Sequence, residues 1–120
     1  MSQPINLTIV GSIGIDTIET PTEKREEILG GSVSYACAAA SFFTQAGMVG
    51  VVGTDFPQTF IDHWKQMKIN LDGLQTQEGK TFRWSGIYEA NMDNRTTLST
   101  ELNVFEEFSP KLPETYRDAP

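Results

Sequence analysis

Residues 30–43, GGSVSYACAAASFF, constrain this chain more than any other stretch: two glycines open a run of small and apolar residues that repeats at helical spacing. Val33, Ala36, Cys37, Ala40 and Phe43 would share one face of a helix, and that face is expected to be buried. Ser32 is expected to cap the start, its hydroxyl accepting from a first-turn N–H. The glycines just ahead carry no Cβ, so a ligand can come close to the backbone there. The first-turn N–H groups would point outward at the positive end of the helix dipole. Such a place suits a molecule with oxygen atoms. The alanines predict close packing against a neighbour. A Gly-Gly pair before a helix is also met as a plain loop with a cap, so the stretch gains functional meaning only beside a second motif.

The flanking segments supply strands. Ile5 to Ile18, with Leu7, Ile9 and Val10 ahead of Gly11 and Gly14, reads as one buried, parallel strand that ends in a tight turn, with Asp16 after its apolar run. In an open α/β sheet ligands gather at the carboxyl ends of strands, so Asp16 is either a binding acid or the cap of a turn. Glu19 to Leu29 is polar and charged and fits an exposed turn with an edge strand or a short helix. Ala46 to Gly53 reads as a second strand with Gly47 as the preceding helix stop. Phe56, Phe60, Ile61, Trp64 and Met67 then repeat as the apolar face of a second helix, capped by Asp55. The resulting β-α-β order requires a right-handed crossover and a sheet covered on both faces. His63, the single histidine, has no cysteine or second histidine near it and reads as a packing or solvent-facing residue.

Beyond Leu71 the character changes. Residues 79–102 are rich in Thr, Phe, Trp and Tyr around a polar ANMDNR segment, which reads as a β-hairpin. Phe82, Trp84 and Tyr88 alternate with smaller or polar neighbours, so one hairpin face is apolar and must cover a core, a ligand or another subunit. Asn103 to Pro120, with three prolines among acids, reads as a loop leading elsewhere.

Composition narrows the function classes. The 120 residues carry a net charge of −7 with nine scattered basic residues, which argues against a nucleic-acid or anionic-membrane partner. Cys37, the single cysteine, leaves no disulfide framework and no thiolate metal site, and fits a reducing, cytoplasmic setting. No run approaches the ~18 apolar residues of a membrane span, and the opening MSQP lacks a secretory layout.

Taken in order, Asp16, the Gly30-Gly31 pair opening an alanine-rich helix, VVGTD after a strand, MKINLDG and an aromatic hairpin resemble the PfkB, or ribokinase-like, family of carbohydrate and nucleoside kinases. The resemblance covers most of the chain and implies a doubly wound α/β fold, in its N-terminal portion, with a small β lid. Residues 1–120 would be the N-terminal part of one kinase domain, its core at about 1–18 and 30–75 and its lid hairpin at about 79–102. In such kinases the acceptor alcohol lies between sheet and lid, and ATP, with Mg²⁺, donates its γ-phosphoryl group to a hydroxymethyl. Asp16 matches the acid that holds substrate hydroxyls, and Gly30 and Gly31 match the pair that admits substrate to the helix start. Phe82 and Trp84 would be lid residues over the sugar or base ring. Lids of this family often pair between subunits, which implies a homodimer through the hairpin.

Three positions depart from the family pattern. Tyr35 stands where the family commonly has an asparagine that touches substrate, and Gly14 where it often has another. Both leave the identity of the substrate open, and Tyr35 would narrow the pocket or stack on a ring. Pro57 replaces a usual glycine at the second helix start. No GxxxxGK[ST] occurs, and the Gly-Ala-Gly-Asp motif that carries the family's anion hole and catalytic aspartate has no counterpart here. In the family it falls in the second half of a chain roughly twice this length or more. The chain is therefore expected to supply the substrate side, with no catalytic residue and no metal ligand, and to be inactive alone. The competing expectation is a non-catalytic binding or dimerisation module complete at this length. A dinucleotide-binding domain is disfavoured because the first turn never completes GxGxxG.

Overall fold

The computed structural model describes residues 4–91 and 93–120. Two sheets are built from seven strands: β1 Leu7–Val10, β2 Gly14–Glu19, β3 Lys24–Gly30, β4 Ala46–Gly53, β5 Asn70–Gln77, β6 Phe82–Tyr88 and β7 Arg95–Glu101. Helices α1 (Ser32–Ala40) and α2 (Gln58–Gln66) and two 3-10 turns at Asn103–Glu107 and Glu114–Tyr116 complete the chain. The first sheet is parallel with order β1-β4-β5, and the second is mixed with order β3-β2-β6-β7.

Ala46 to Gly53 forms the central parallel strand as expected from its valines, and all eight of its residues are buried. Met48 and Val52 face the helices, in one cluster with Val33 and Cys37 of α1 and Phe56 and Trp64 beside and on α2. Phe56 stacks on Trp64 with centroids 5.5 Å apart, so the helical spacing of the second apolar run holds. Val49, on the alternate face, packs with Ile5 and Tyr116. Both faces are covered, one by the two helices and the other by the C-terminal segment.

That segment is a correction to the loop reading. Tyr116 is 1% exposed, its hydroxyl accepts from Gly73 N–H at 3.1 Å, and it lies 2.8 Å from both the backbone and side-chain oxygens of Asn70. Its ring fills the space over Gly47 and Gly73, where added Cβ atoms would each sit 2.8 Å from ring carbons. Gly47 is thus a strand residue beneath an aromatic ring, and the helix instead ends at Ser41 in ordinary αR backbone. A residue with no side chain reads like a helix stop in sequence. Here its use is to admit the tyrosine.

The stretch from Ile5 to Ile18 is likewise two strands, and they belong to different sheets. After β1 the chain turns across the start of α1: Ser12 accepts from Val33 N–H at 3.1 Å, and Ile13 is fully buried in the helical core. Asp16 therefore lies within β2, on the second sheet, and does not follow the first strand. The open reading of 19–29 resolves to a turn and an edge strand, whose Lys24, Arg25, Glu26 and Glu27 are exposed and guard it against further pairing. Asn70–Gln77, a third parallel strand, had no strand signal strong enough to single it out. The hairpin is formed by β6 and β7, and it is extended by β2 and β3 into four strands; Met92 of its turn lies outside the described residues.

Candidate functional site

Side chains alternate across a strand, so register decides which residues can meet. β2 pairs antiparallel with β3 (Gly14 opposite Gly30, Asp16 opposite Ile28) and parallel with β6 (Gly14 beside Phe82, Asp16 beside Trp84). Asp16, Gly30, Phe82 and Trp84 therefore share one face of the four-stranded sheet. Ile15, on the other face, is buried in the helical core and anchors the strand.

The Asp16 carboxylate lies across Gly30, where an added Cβ would fall 2.2 Å from Oδ2. Gly30 thus makes room for the acid itself. Among the described residues no N–H or O–H donates to this carboxylate, and burial pushes its pKa up from the ordinary aspartate value. It is an acceptor held in place with its lone pairs unspent.

At Gly31, φ is +98° and an added Cβ would sit 2.3 Å from Ser12 O, so backbone shape and the passing chain both demand glycine. Gly31 is the N-cap of α1 and no side chain caps the helix. The expected Ser32 cap is replaced by a pairing with Ser12: Ser32 N–H donates to Ser12 Oγ at 3.1 Å and Ser32 Oγ accepts from Ser12 N–H at 3.3 Å. With Val33 N–H also on Ser12, two first-turn donors are consumed inside the chain. Of the helix face expected to be buried, Val33 and Cys37 are buried, Ala40 is half-buried and Ala36 is exposed; Phe43 is 89% exposed, because α1 stops before it. Ser34 takes the vacated place, its hydroxyl donating to Gly30 O at 2.8 Å. Tyr35 points out, 61% exposed, and donates to Leu29 O at 3.0 Å.

The two aromatic residues are held differently. Phe82 stacks on Phe105 with centroids 5.5 Å apart and presses toward Gly14. Trp84 leans along the sheet over Gly86, where an added Cβ would meet ring carbon Cη2 at 2.2 Å. Its indole N–H donates to Thr97 Oγ1 at 3.3 Å, Tyr88 meets it edge-on at 6.4 Å, and Arg95 lies over the ring at 5.6 Å. Sequence reading missed Gly86, Arg95 and Thr97. The alternation of the second hairpin strand against Tyr88 and Gly86 could have placed Arg95 and Thr97 on this face.

Asp55 is not a helix cap; Pro57 occupies that position. Its Oδ1 accepts from the Thr81 N–H at 2.8 Å and the Thr81 hydroxyl at 2.7 Å, and its Oδ2 accepts from Arg83 at 3.1 Å. Thr81 Oγ1, fully buried, accepts from Gly53 N–H, and Arg83 reaches on to Glu27 at 2.8 Å. This chain of bonds ties the end of β4 to the start of β6 and, through Glu27, to β3. Burial pushes the Asp55 carboxyl up, but the bonds from Thr81 and Arg83 outweigh it and hold the pKa below the ordinary value. A depressed carboxyl stabilises the fold above its unfolded pKa of about 4, and that contribution is lost as pH falls through the folded pKa. Urea midpoints are expected to drop on acidification below about pH 4, and the drop should be smaller in Asp55→Asn.

Burial raises the Cys37 thiol to about 11, so it is a core residue and not a nucleophile. Among the described residues no cluster of three or more His, Cys, Asp or Glu side chains could hold a metal ion, and no helix is long and apolar enough to cross a membrane. A cavity of about 360 Å³ opens beside Gln77, Lys80, Asn103 and Glu107 at the passage from β5 to β6, and neither Asp16 nor Trp84 lines it.

The chain is 29% identical over 117 residues to a cytidine kinase of Thermococcus kodakarensis, a match that takes in 96% of this chain and 41% of that protein. Its fold is similar to that of a Burkholderia thailandensis nucleoside kinase solved with inosine (TM-score 0.68, 18% identity, 81% of this chain and 37% of that one). It is also similar to a Methanocaldococcus jannaschii nucleoside kinase described as an archaeal member of the ribokinase family (TM-score 0.66, 18% identity, 92% and 42%). A putative ribokinase from Thermoplasma acidophilum superposes at TM-score 0.67 with 16% identity, over 95% of this chain and 43% of that one. No family model matches the chain. The chain thus spans about two fifths of the length of these relatives, and the resemblance to ribokinase-like kinases holds in sequence and in fold.

Proposed function

We propose, from the ribokinase-like fold as premise, that this chain is the acceptor-binding part of an ATP-dependent kinase that phosphorylates a hydroxymethyl group of a sugar or nucleoside. The single observation that carries this reading is the unpartnered Asp16 carboxylate on the sheet face it shares with Phe82 and Trp84, beside Gly30.

The chemistry follows from those groups. An ionised carboxylate only accepts, so two neighbouring hydroxyls of an acceptor can donate to its two oxygens, and such charge-assisted bonds are the strong ones. That fixes the orientation of a polyol at this half-buried acid. Gly30 lets the acid lie close to the backbone, and Gly31 lets the chain turn directly into α1. Phe82 and Trp84 would cover the ring of the acceptor and keep water from the reacting hydroxyl. Tyr35, exposed at the first turn of α1, would border the same space.

ATP and Mg²⁺ belong to this reading; among the described residues no group of three or more His, Cys, Asp or Glu could hold a metal ion, and no step is routed through either. Catalysis is assigned to residues outside the 120. The buried free Cys37 agrees with a cytoplasmic setting, and a homodimer would pair copies along the exposed edge of β7. The test is phosphoryl transfer from ATP by the protein at its full natural length, offered nucleosides such as cytidine and inosine and free sugars such as ribose. ATP-dependent phosphorylation of one class is expected. A well-folded full-length protein that phosphorylates none of them overturns the reading.

A further inference from the structure

We propose that Arg83 is a positioning residue for the acceptor acid: by joining Glu27 on β3 to Asp55 at the end of β4, behind the strand that carries Asp16, it fixes where that carboxylate stands; this rests on the kinase reading above and deepens it. Glu27 is a backbone outlier. Its φ is +55°, and among the described residues only two other non-glycine residues, Lys68 and Asn103, share that left-handed region. Those two have local reasons. Lys68 closes the end of α2, its N–H donating to Lys65 O at 3.0 Å and the next N–H, of Ile69, to Trp64 O at 3.2 Å. Asn103 is of a type that tolerates this region, and its side-chain amide donates to Thr81 O at 3.0 Å. Glu27 lies at no helix end and has no short amide. Strain of this kind persists where the surrounding structure imposes it, and it gathers at sites that use it.

The outlier sits at a break in the ladder beside Asp16. β2 and β3 pair Asp16 with Ile28 and Ile18 with Arg25, so Thr17 alone faces both Glu26 and Glu27. A bulge of this sort bends its strand and re-aims a side chain. Here the Glu27 carboxylate accepts from Arg83 at 2.8 Å, although β2 lies between their two strands. Arg83 is the register partner of Ile15, so it stands on the sheet face opposite Asp16. Its other terminal nitrogen donates to Asp55 at 3.1 Å, and Asp55 is itself pinned by Thr81. The planar fork thus straps β3 and β6 to the end of β4, with the Asp16 strand enclosed.

Stability alone does not account for this arrangement. The Arg83 and Glu27 side chains are 30% and 58% exposed, and an ion pair so open to water contributes less than the left-handed backbone costs. The other ion pairs among the described residues are local, Lys24 with Glu26, Arg25 with Glu23 and Arg117 with Glu114. Arg83 instead reaches partners 56 and 28 positions away in the chain. What such a strap supplies is a fixed place for the acid relative to the parallel sheet, at whose strand ends ligands of open α/β folds gather.

The test uses the full-length protein, with cytidine and ribose as acceptors, and three variants. Arg83→Met removes the strap, Arg83→Lys keeps the charge without the fork, and Glu27→Gly removes the carboxylate while relieving the backbone. Arg83→Met and Glu27→Gly are each expected to raise KM for the phosphorylated acceptor about 10-fold with kcat within about twofold, and Arg83→Lys to recover part of the loss. In an Asp16→Asn background the same changes should add nothing, because the strap acts through the acid. A KM loss that persists in that background, or an unchanged KM in a Glu27→Gly protein that unfolds in urea like the parent, overturns the proposal. Glu27→Gly carries this kinetic test if Arg83→Met does not fold. The second readout needs no turnover: titration of the Asp16 carboxyl by carbon NMR of labelled aspartate. Burial raises its pKa. Releasing the strap admits water and should move it down toward the ordinary aspartate value, whereas loss of the positive charge by itself would move it up. A fall in Arg83→Met sustains the strap even in a protein that phosphorylates neither acceptor, a result that overturns the kinase reading alone. A rise, or no change, overturns the strap whatever the turnover.

Discussion

Replacing Asp16 by asparagine in the full-length protein is expected to lower kcat/KM for the acceptor by about 100-fold or more and to leave the fold intact. The magnitude follows from two hydrogen bonds to a charged acceptor, each contributing about 1.5–3 kcal/mol, that an amide cannot replace as a pair. The preserved fold follows from the absence of donors to this carboxylate among the described residues and from the upward push that burial gives its pKa. A carboxyl whose folded pKa is raised costs nothing to bury below its unfolded pKa. The cost sets in as pH rises through the folded value. Asp16→Asn should therefore be at least as stable as the parent at neutral pH, its advantage vanishing toward pH 3 to 4. Steady-state kinetics beside urea denaturation at two pH values separates the effects. Unchanged kinetics would remove Asp16 from the binding site, and a large stability loss would make it a structural residue instead.

Gly31→Ala is expected to be strongly damaging, costing about 3 kcal/mol or more. At φ +98° a side chain is strained whatever the space, and the added Cβ would lie 2.3 Å from Ser12 O and 2.7 Å from Ile13 Cα. Both are backbone atoms. Neither can swing aside as a flexible side chain would, and the Ser12–Val33 bond that starts α1 would have to move with them. Thermal or urea unfolding of the variant checks this. A loss below about 1 kcal/mol would mean that the crossing of the chain over the helix start is looser than its geometry implies.

These two residues also show what the sequence makes legible. The glycine pair was visible as a helix opening, and its neighbours β4, α2 and the hairpin followed from runs whose period matched their burial. What escaped depends on partners distant in the chain. Asp16 looked like the end of a core strand because Ile13 and Ile15 continue the apolar run of β1, and only the turn across α1 reveals that the run changes sheets. Asp55 sits where a cap would, but Thr81 and Arg83, 26 and 28 residues on, bind it first. Phe43 kept helical spacing after the helix had ended. Arg95 carried no local signal, since its meaning lies in an indole across the hairpin.

Tyr116 and the two glycines beneath it have a consequence for how sequences of this kind can diverge. The ring occupies the volume that side chains at 47 and 73 would need, and its hydroxyl closes the bond that Gly73 leaves open. Positions 47 and 116 are therefore coupled, a larger residue at 47 calling for a smaller one at 116, whereas Gly73 is also held small by the Met48 carbonyl, and loss of the tyrosine calls for another acceptor for the Gly73 N–H. In lineages that lose the tyrosine, the second face of the parallel sheet must find a different cover, and that substitution pattern should mark them as a separate branch.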